Sequence, residues 1–118
     1  MIIDLLYGAE DIEKRIKQYE SDNEEMKITA ITAYELLRHP KEIKRNIAKA
    51  ILTAFPIYDF DKSAAEKAAD IYIKLIAKDK QINENDILIA AIAFSKDEKL
   101  LTRDKKFAFI GDAGIEII

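Results

Sequence analysis

Apolar residues recur along this chain in two spacings, and the points where one gives way to the other predict its elements. Short runs or alternations at Met26–Ala30, Ile57–Phe60, Lys99–Thr102 and Ile115–Ile118 read as strands. Between them, apolar residues return every three or four positions, as on a helix with one buried face. Ala9–Ser21 places Ile12, Ile16 and Tyr19 on such a face, and Lys41–Phe55 places Ile43, Ile47, Ala50 and Ile51 there. A helix over Thr32–His39 ends before Pro40, because proline disfavours helical geometry in the residue preceding it. Asp61 caps a long helix to about Lys78, with Ala65, Ala68, Tyr72, Leu75 and Ile76 inward. Ile82–Phe94 reads as a buried helix opened by an acid, Asp86, with Asn83 or Asn85 as its cap. Met1–Gly8 is apolar with one acid, Asp4, and Gly8 stops it. Lys105–Ile110 is a turn or a single helical turn.

Strands separated by helices predict the α/β class: one domain on a parallel sheet of about four or five short strands flanked by helices. Crossovers in such a sheet are right-handed, and ligands bind at its carboxyl edge. No repeat, low-complexity tract or linker divides the chain, and 118 residues suffice for one core but not two.

Composition narrows the function. Hydrophobic residues at 49% and charged residues at 35% describe an ordinary folded domain. No apolar run approaches the roughly 18 residues that span a bilayer, and the N-terminus lacks the pattern of a signal peptide. Zero cysteines leave no disulfide framework and no thiolate site. A cytoplasmic protein with no membrane partner is expected. The net charge of −3 argues against a general nucleic-acid coat protein, but leaves room for an enzyme that reaches a polyanion through a metal.

The candidate chemistry is carboxylate. Each acid has a plain structural role open to it. Asp86 can stabilise the helix dipole, Asp104 can cap the turn after its strand, and Thr32-x-x-Glu35 matches a capping box. Asp4 follows a short apolar run and by itself says little. Together they read differently, since Glu35 begins a helix after a strand, Asp104 follows a strand, and Asp86 opens the helix leading into it. In a doubly wound sheet all three converge on one edge. Clustered carboxylates repel, so a divalent cation is their natural compensation. All-oxygen ligation favours Mg²⁺ or Mn²⁺ over zinc. Such an ion suits phosphodiester hydrolysis.

These pieces resemble the PIN-domain family, and within it the small ribonuclease toxins of VapC type from prokaryotic toxin–antitoxin pairs. Ile2–Gly8, Ile31–Arg38, Asn85–Ala93 and Leu100–Phe107 match the family's acidic segments in order and spacing, over nearly the whole chain. The resemblance implies a Mg²⁺- or Mn²⁺-dependent endoribonuclease. Glu35, Asp86 and Asp104 would hold metal or metal-bound water, and Thr102 would support them by hydrogen bonding. It also implies RNA as substrate, a homodimer, and a cognate antitoxin whose tail enters the active-site groove. One departure stands out. Family members open with a strand ending in Asp-Thr-Asn, whose Asp is the first ligand, and Met1 falls where the segment after it should begin. The start lies upstream, or Met1-Ile2-Ile3 is the strand and Asp4 the ligand, or the ligand is lost.

Arg38, Lys41, Lys44, Arg103, Lys105 and Lys106 lie near the acidic motifs and could contact RNA phosphates, or serve only as solvated side chains. His39, the one histidine, reads as a surface residue at a helix end, and Asp97-Glu98 as a solvated turn. The competing functions are a catalytically inactive PIN-like module that binds RNA or protein, and a phosphoacceptor domain. The latter would need an acidic pair after the first strand and a lysine near the last, and neither is present.

Overall fold

A two-residue strand, Ile2–Ile3 (β1), forms the axis of the sheet. The computed structural model describes residues 1–4, 18, 25–112 and 114–117. The helix expected at Ala9–Ser21 and the stop at Gly8 lie outside the described residues, apart from Gln18, which is helical. On one side β1 pairs in parallel with Leu100–Thr102 (β4), which pairs in parallel with Ile115–Ile117 (β5). On the other, Ile28–Thr29 (β2) pairs in parallel with Ile57–Tyr58 (β3). A parallel bridge between Ile2 and Lys27 joins the two groups, with the Ile3 amide donating to the Lys27 carbonyl at 3.0 Å and the Lys27 amide to the Met1 carbonyl at 2.9 Å. The strand order is therefore β3-β2-β1-β4-β5. Succession runs one way from β1 to β3 and the other way from β4 to β5, so direction reverses between β1 and β4. In parallel sheets the crevice at that reversal, beyond the carboxyl ends of the strands, is where ligands bind.

Four helices complete the described fold: Ala30–Leu37 (α1), Glu42–Ala54 (α2), Lys62–Ala77 (α3) and Glu84–Ser95 (α4), with a 3₁₀ turn at Lys105–Ile110 after β4. Helix α4 is the core element, with Ile87, Ile89, Ala90, Ala91, Ile92 and Ala93 buried. Being apolar nearly all round, it is covered on nearly all sides, as such a helix must be. It packs on β1, β4, Phe107 and the Ala64, Ala68, Ile71, Leu75 face of α3. Asp61 caps α3 as expected, accepting from the Ala64 amide at 2.9 Å, and its other oxygen meets Lys96 Nζ at 3.0 Å, pinning the start of α3 to the end of α4.

Three expectations need correction. The buried line of α3 is Ala64, Ala68, Ile71 and Leu75, so that Ala68 and Leu75 face inward as expected while the rest of the line runs through Ala64 and Ile71. Ala65, Tyr72 and Ile76 face outward, with Ile76 58% exposed. Apolar residues cover two adjacent faces of this helix, so spacing alone leaves the register ambiguous. On α2 only Ala48 is buried, while Ile43 and Ile47 are 69% and 57% exposed. Ala50 is exposed as well, and the inward side is Ala48 with Arg45, Ile51 and Leu52 half-buried beside it. Glu98 is no solvated residue. It is ion-paired with Lys27 and the Met1 amino group and accepts from the Tyr58 hydroxyl at 3.1 Å. Three donors converging from separate segments could not be read from a charged turn.

Candidate active site

The ends of β1 and β4 bring the acids together at the crevice. Asp4 directly follows β1 and is 1% exposed. Thr102, the last residue of β4, is fully buried and bridges the gap: its hydroxyl donates to Asp4 Oδ2 at 2.9 Å and accepts from the Asp104 amide at 3.1 Å. One side chain thus fixes one carboxylate and the backbone of the next. Of the readings left open for the N-terminal segment, the fold has Ile2–Ile3 as the strand and Asp4 at its carboxyl end.

Glu35 arrives from α1, where the local sequence releases it from capping. The N-cap is Thr29, whose Oγ1 accepts from the Thr32 amide at 3.1 Å, so Thr32 is inside the helix and the expected capping box does not form. Glu35 is buried, and its Oε1 has no hydrogen-bond partner among the described residues. A buried carboxylate oxygen left unpaired costs folding free energy, about 1–3 kcal/mol or more for a charged group. Burial pushes the Glu35 carboxyl above its usual range and the Asp4 charge adds to this, against the pull of Asn85 and of Arg38, whose Nη2 lies 3.9 Å from Oε2.

Asp86 sits in the first turn of α4, behind the cap made by Asn83, which accepts from the Asn85 amide at 2.9 Å. It is 5% exposed. Burial raises its pKa to about 7, helped by the charges of Asp4, Asp104 and Glu35 and by a hydrogen bond shared with Asp104. The four acids therefore face one another. Asp104 also keeps its plainer role, since its Oδ1 accepts from the Lys106 amide at 2.9 Å and caps the 3₁₀ turn. Sequence reading missed Asn85 as a site residue. With Asn83 as the cap, Asn85 is freed to face Glu35, and the signal was the asparagine pair itself.

The donor set is all oxygen and strongly anionic, with an unpartnered buried oxygen among it. That chemistry fits a hard divalent cation. As the side chains stand, no three acids or histidines among the described residues meet around one point at ligand distance. Of the basic residues named from sequence, the structure brings Arg38 to the cluster and keeps Arg103, half-buried, and the exposed Lys105 beside Asp104. Lys41 and Lys44 are exposed on the α1–α2 side of the molecule, and no helix among the described residues is long and apolar enough to cross a membrane.

Known proteins with this arrangement identify its family. The PIN domain matches residues 1–112. Among solved structures, the chain is similar to VapBC-1 from nontypeable Haemophilus influenzae, with a TM-score of 0.81 at 20% identity over 99% of this chain and 98% of that one. It is also similar to VapBC2 from Rickettsia felis bound to a DNA fragment from their promoter, at 0.75 and 18% over 100% and 99%. A third similar structure is VapBC-5 from Mycobacterium tuberculosis, a member of the VapBC family of toxin–antitoxin systems, at 0.65 and 30% over 79% and 80%. No sequence among curated proteins matches this chain. The first two likenesses carry the fold, and the third, with the match over residues 1–112, carries kinship: the chain belongs to the PIN domain family, in its VapC-type branch.

Proposed function

We propose that this protein is a Mg²⁺- or Mn²⁺-dependent endoribonuclease, the toxin of a toxin–antitoxin pair. The observation that carries the reading is the set of buried Asp4, Glu35 and Asp86 with half-buried Asp104 at the reversal of the sheet, with no partner for Glu35 Oε1 among the described residues. Bound there, a divalent ion would neutralise the cluster, draw charge from a phosphate oxygen and make a water more acidic. The four carboxylates would hold it. Thr102 fixes Asp4 and the Asp104 backbone relative to each other, so the spacing of two ligands rests on one hydroxyl. Arg38, Arg103 and Lys105 would take the flanking phosphates. Similarity to solved structures of toxin–antitoxin systems supports an antitoxin partner. The outward apolar residues of α2 and α3 supply surface for it and for a second copy of the chain.

A second reading, a PIN module that binds without cleaving, draws on the absence of any three described side chains at ligand distance. One experiment separates them: Mn²⁺ binding by calorimetry and cleavage of single-stranded RNA, on wild type and Asp86→Asn. The nuclease reading expects both activities in wild type and a loss of at least about 100-fold in the variant, more than altering a supporting residue costs. Metal-independent RNA binding without cleavage, unchanged in Asp86→Asn, would establish the second reading instead.

A further inference from the structure

We propose that Tyr34 and Arg38 form a nucleotide subsite on the rim of the carboxylate cluster, with the Tyr34 ring stacking a base and Arg38 taking its phosphate. The inference rests on the nuclease reading and names the part of the substrate held next to the reacting bond. Helix α1 turns Glu35 into the cluster at 8% exposure and turns the preceding Tyr34 outward at 57%. Arg38 lies one turn further along, three residues from Glu35 and four from Tyr34, and at those spacings a helical side chain touches both neighbours. It does so here: Nη2 is 3.9 Å from Glu35 Oε2, and the guanidinium carbon is 5.1 Å from the centre of the Tyr34 ring, within cation–π range. Acid, cation and aromatic ring form an unbroken line running outward from the buried cluster.

Single exposed aromatics are ordinary. What distinguishes Tyr34 is the cation held against it and its position next to Glu35. Two contacts hold Arg38 in place, so it loses less rotamer freedom on meeting a phosphate than a free arginine would. A phosphate beside the cluster puts the adjoining base within reach of the ring, and aromatic stacking accepts any base because every base has a π face. In a duplex those faces are already stacked, so the subsite selects single-stranded RNA or an unpaired loop. The chain's net charge of −3 makes this local cation more important, since no general basic field draws the strand in.

The test measures binding of a short single-stranded oligoribonucleotide to the full chain by fluorescence anisotropy, with Ca²⁺ in place of Mn²⁺. The same length of abasic ribose-phosphate oligomer serves as a second probe. Tyr34→Ala should weaken the oligoribonucleotide about tenfold and leave the abasic oligomer unchanged. Tyr34→Trp should retain the wild-type affinity, and Arg38→Ala should weaken both probes. Because Tyr34 is exposed, circular dichroism should show both variants folded. Equal affinity of wild type and Tyr34→Ala for the oligoribonucleotide would overturn the subsite, as expected if this surface seats a protein segment instead. So would equal weakening of both probes, or no RNA binding by wild type. Cleavage with Mn²⁺ on the same samples reports the parent reading separately. Base-dependent binding without cleavage upholds the subsite and removes the nuclease, whereas cleavage with Tyr34→Ala indistinguishable from wild type removes the subsite alone.

Discussion

The two ends of β1 and β4 hold two groups of buried or half-buried charge that differ in one respect. At the amino end, Glu98 is met by Lys27, the Met1 amino group and the Tyr58 hydroxyl. Burial alone would raise its pKa, but these partners, Lys27 foremost, hold the carboxyl down at about 2, and Glu98 in turn drives the Lys27 pKa upward. At the carboxyl end, burial raises Asp86 to about 7, and the groups around it, being more carboxylates, add to the rise rather than offset it. A buried charge whose partners come from its own chain serves the fold. A group of like charges whose nearest acidic neighbours raise one another's pKa works against the fold instead.

That contrast breaks first at Asp86. Asp86→Asn should abolish metal-dependent activity while making the metal-free protein more stable, by about 2 kcal/mol at pH 8, read as the urea midpoint. A loss of stability would mean that Asp86 is a structural acid. The pH dependence sharpens the contrast further, since the two ends slope in opposite directions. The Asp86 pKa is raised, so its favourable contribution is full below 3.8 and lost as pH climbs through 7. The Glu98 pKa is lowered, so its contribution is full above 4.5 and lost as pH falls toward 2. Thermal melts of metal-free protein from acid to pH 8 should therefore rise and then decline, with Asp86→Asn flattening the decline to what Glu35 still contributes and Glu98→Gln removing the acid limb. Glu98→Gln should also cost about 2 kcal/mol at neutral pH by weakening charge-assisted hydrogen bonds, yet leave Mn²⁺ affinity at the wild-type value by calorimetry. The smallest effect concerns Asp97, which ends α4 at φ 53°, with the Glu98 amide reaching back to the Ala93 carbonyl at 2.9 Å. Glycine takes that left-handed geometry without strain, and Asp97→Gly should raise the midpoint by about 0.5 kcal/mol.

Much of the fold was legible in the sequence because its strands are short, apolar and separated by capped or proline-bounded helices. Asp61 as a cap, the end before Pro40 and the burial of Ile87–Ala93 follow from local chemistry. The acidic site was legible as a set and ambiguous residue by residue. Glu35 fits a capping box on paper, and only the placing of Thr32 inside a helix capped three residues earlier, at Thr29, frees it. Asp104 keeps its plain role within the cluster, one oxygen capping a turn while the carboxyl faces Asp86. What sequence could not supply were features set by packing across the chain: the inner face of α3, the outward turn of Ile43 and Ile47, and the partners of Glu98. Each depends on elements dozens of residues away, and helical periodicity carries no information about which of two apolar faces meets them.

The hydrogen bond from Thr102 to Asp4 joins residues 98 positions apart, and this separation ties the site to the folding history of the chain. Pairings of long sequence separation close late, after most of the loop entropy has been overcome. A chain shortened before β4, or partly unfolded so that β4 leaves β1, loses the centre entirely rather than gradually. The long-range contact thus makes the assembled cluster dependent on the whole sheet, so that it is lost as a unit when β4 leaves β1.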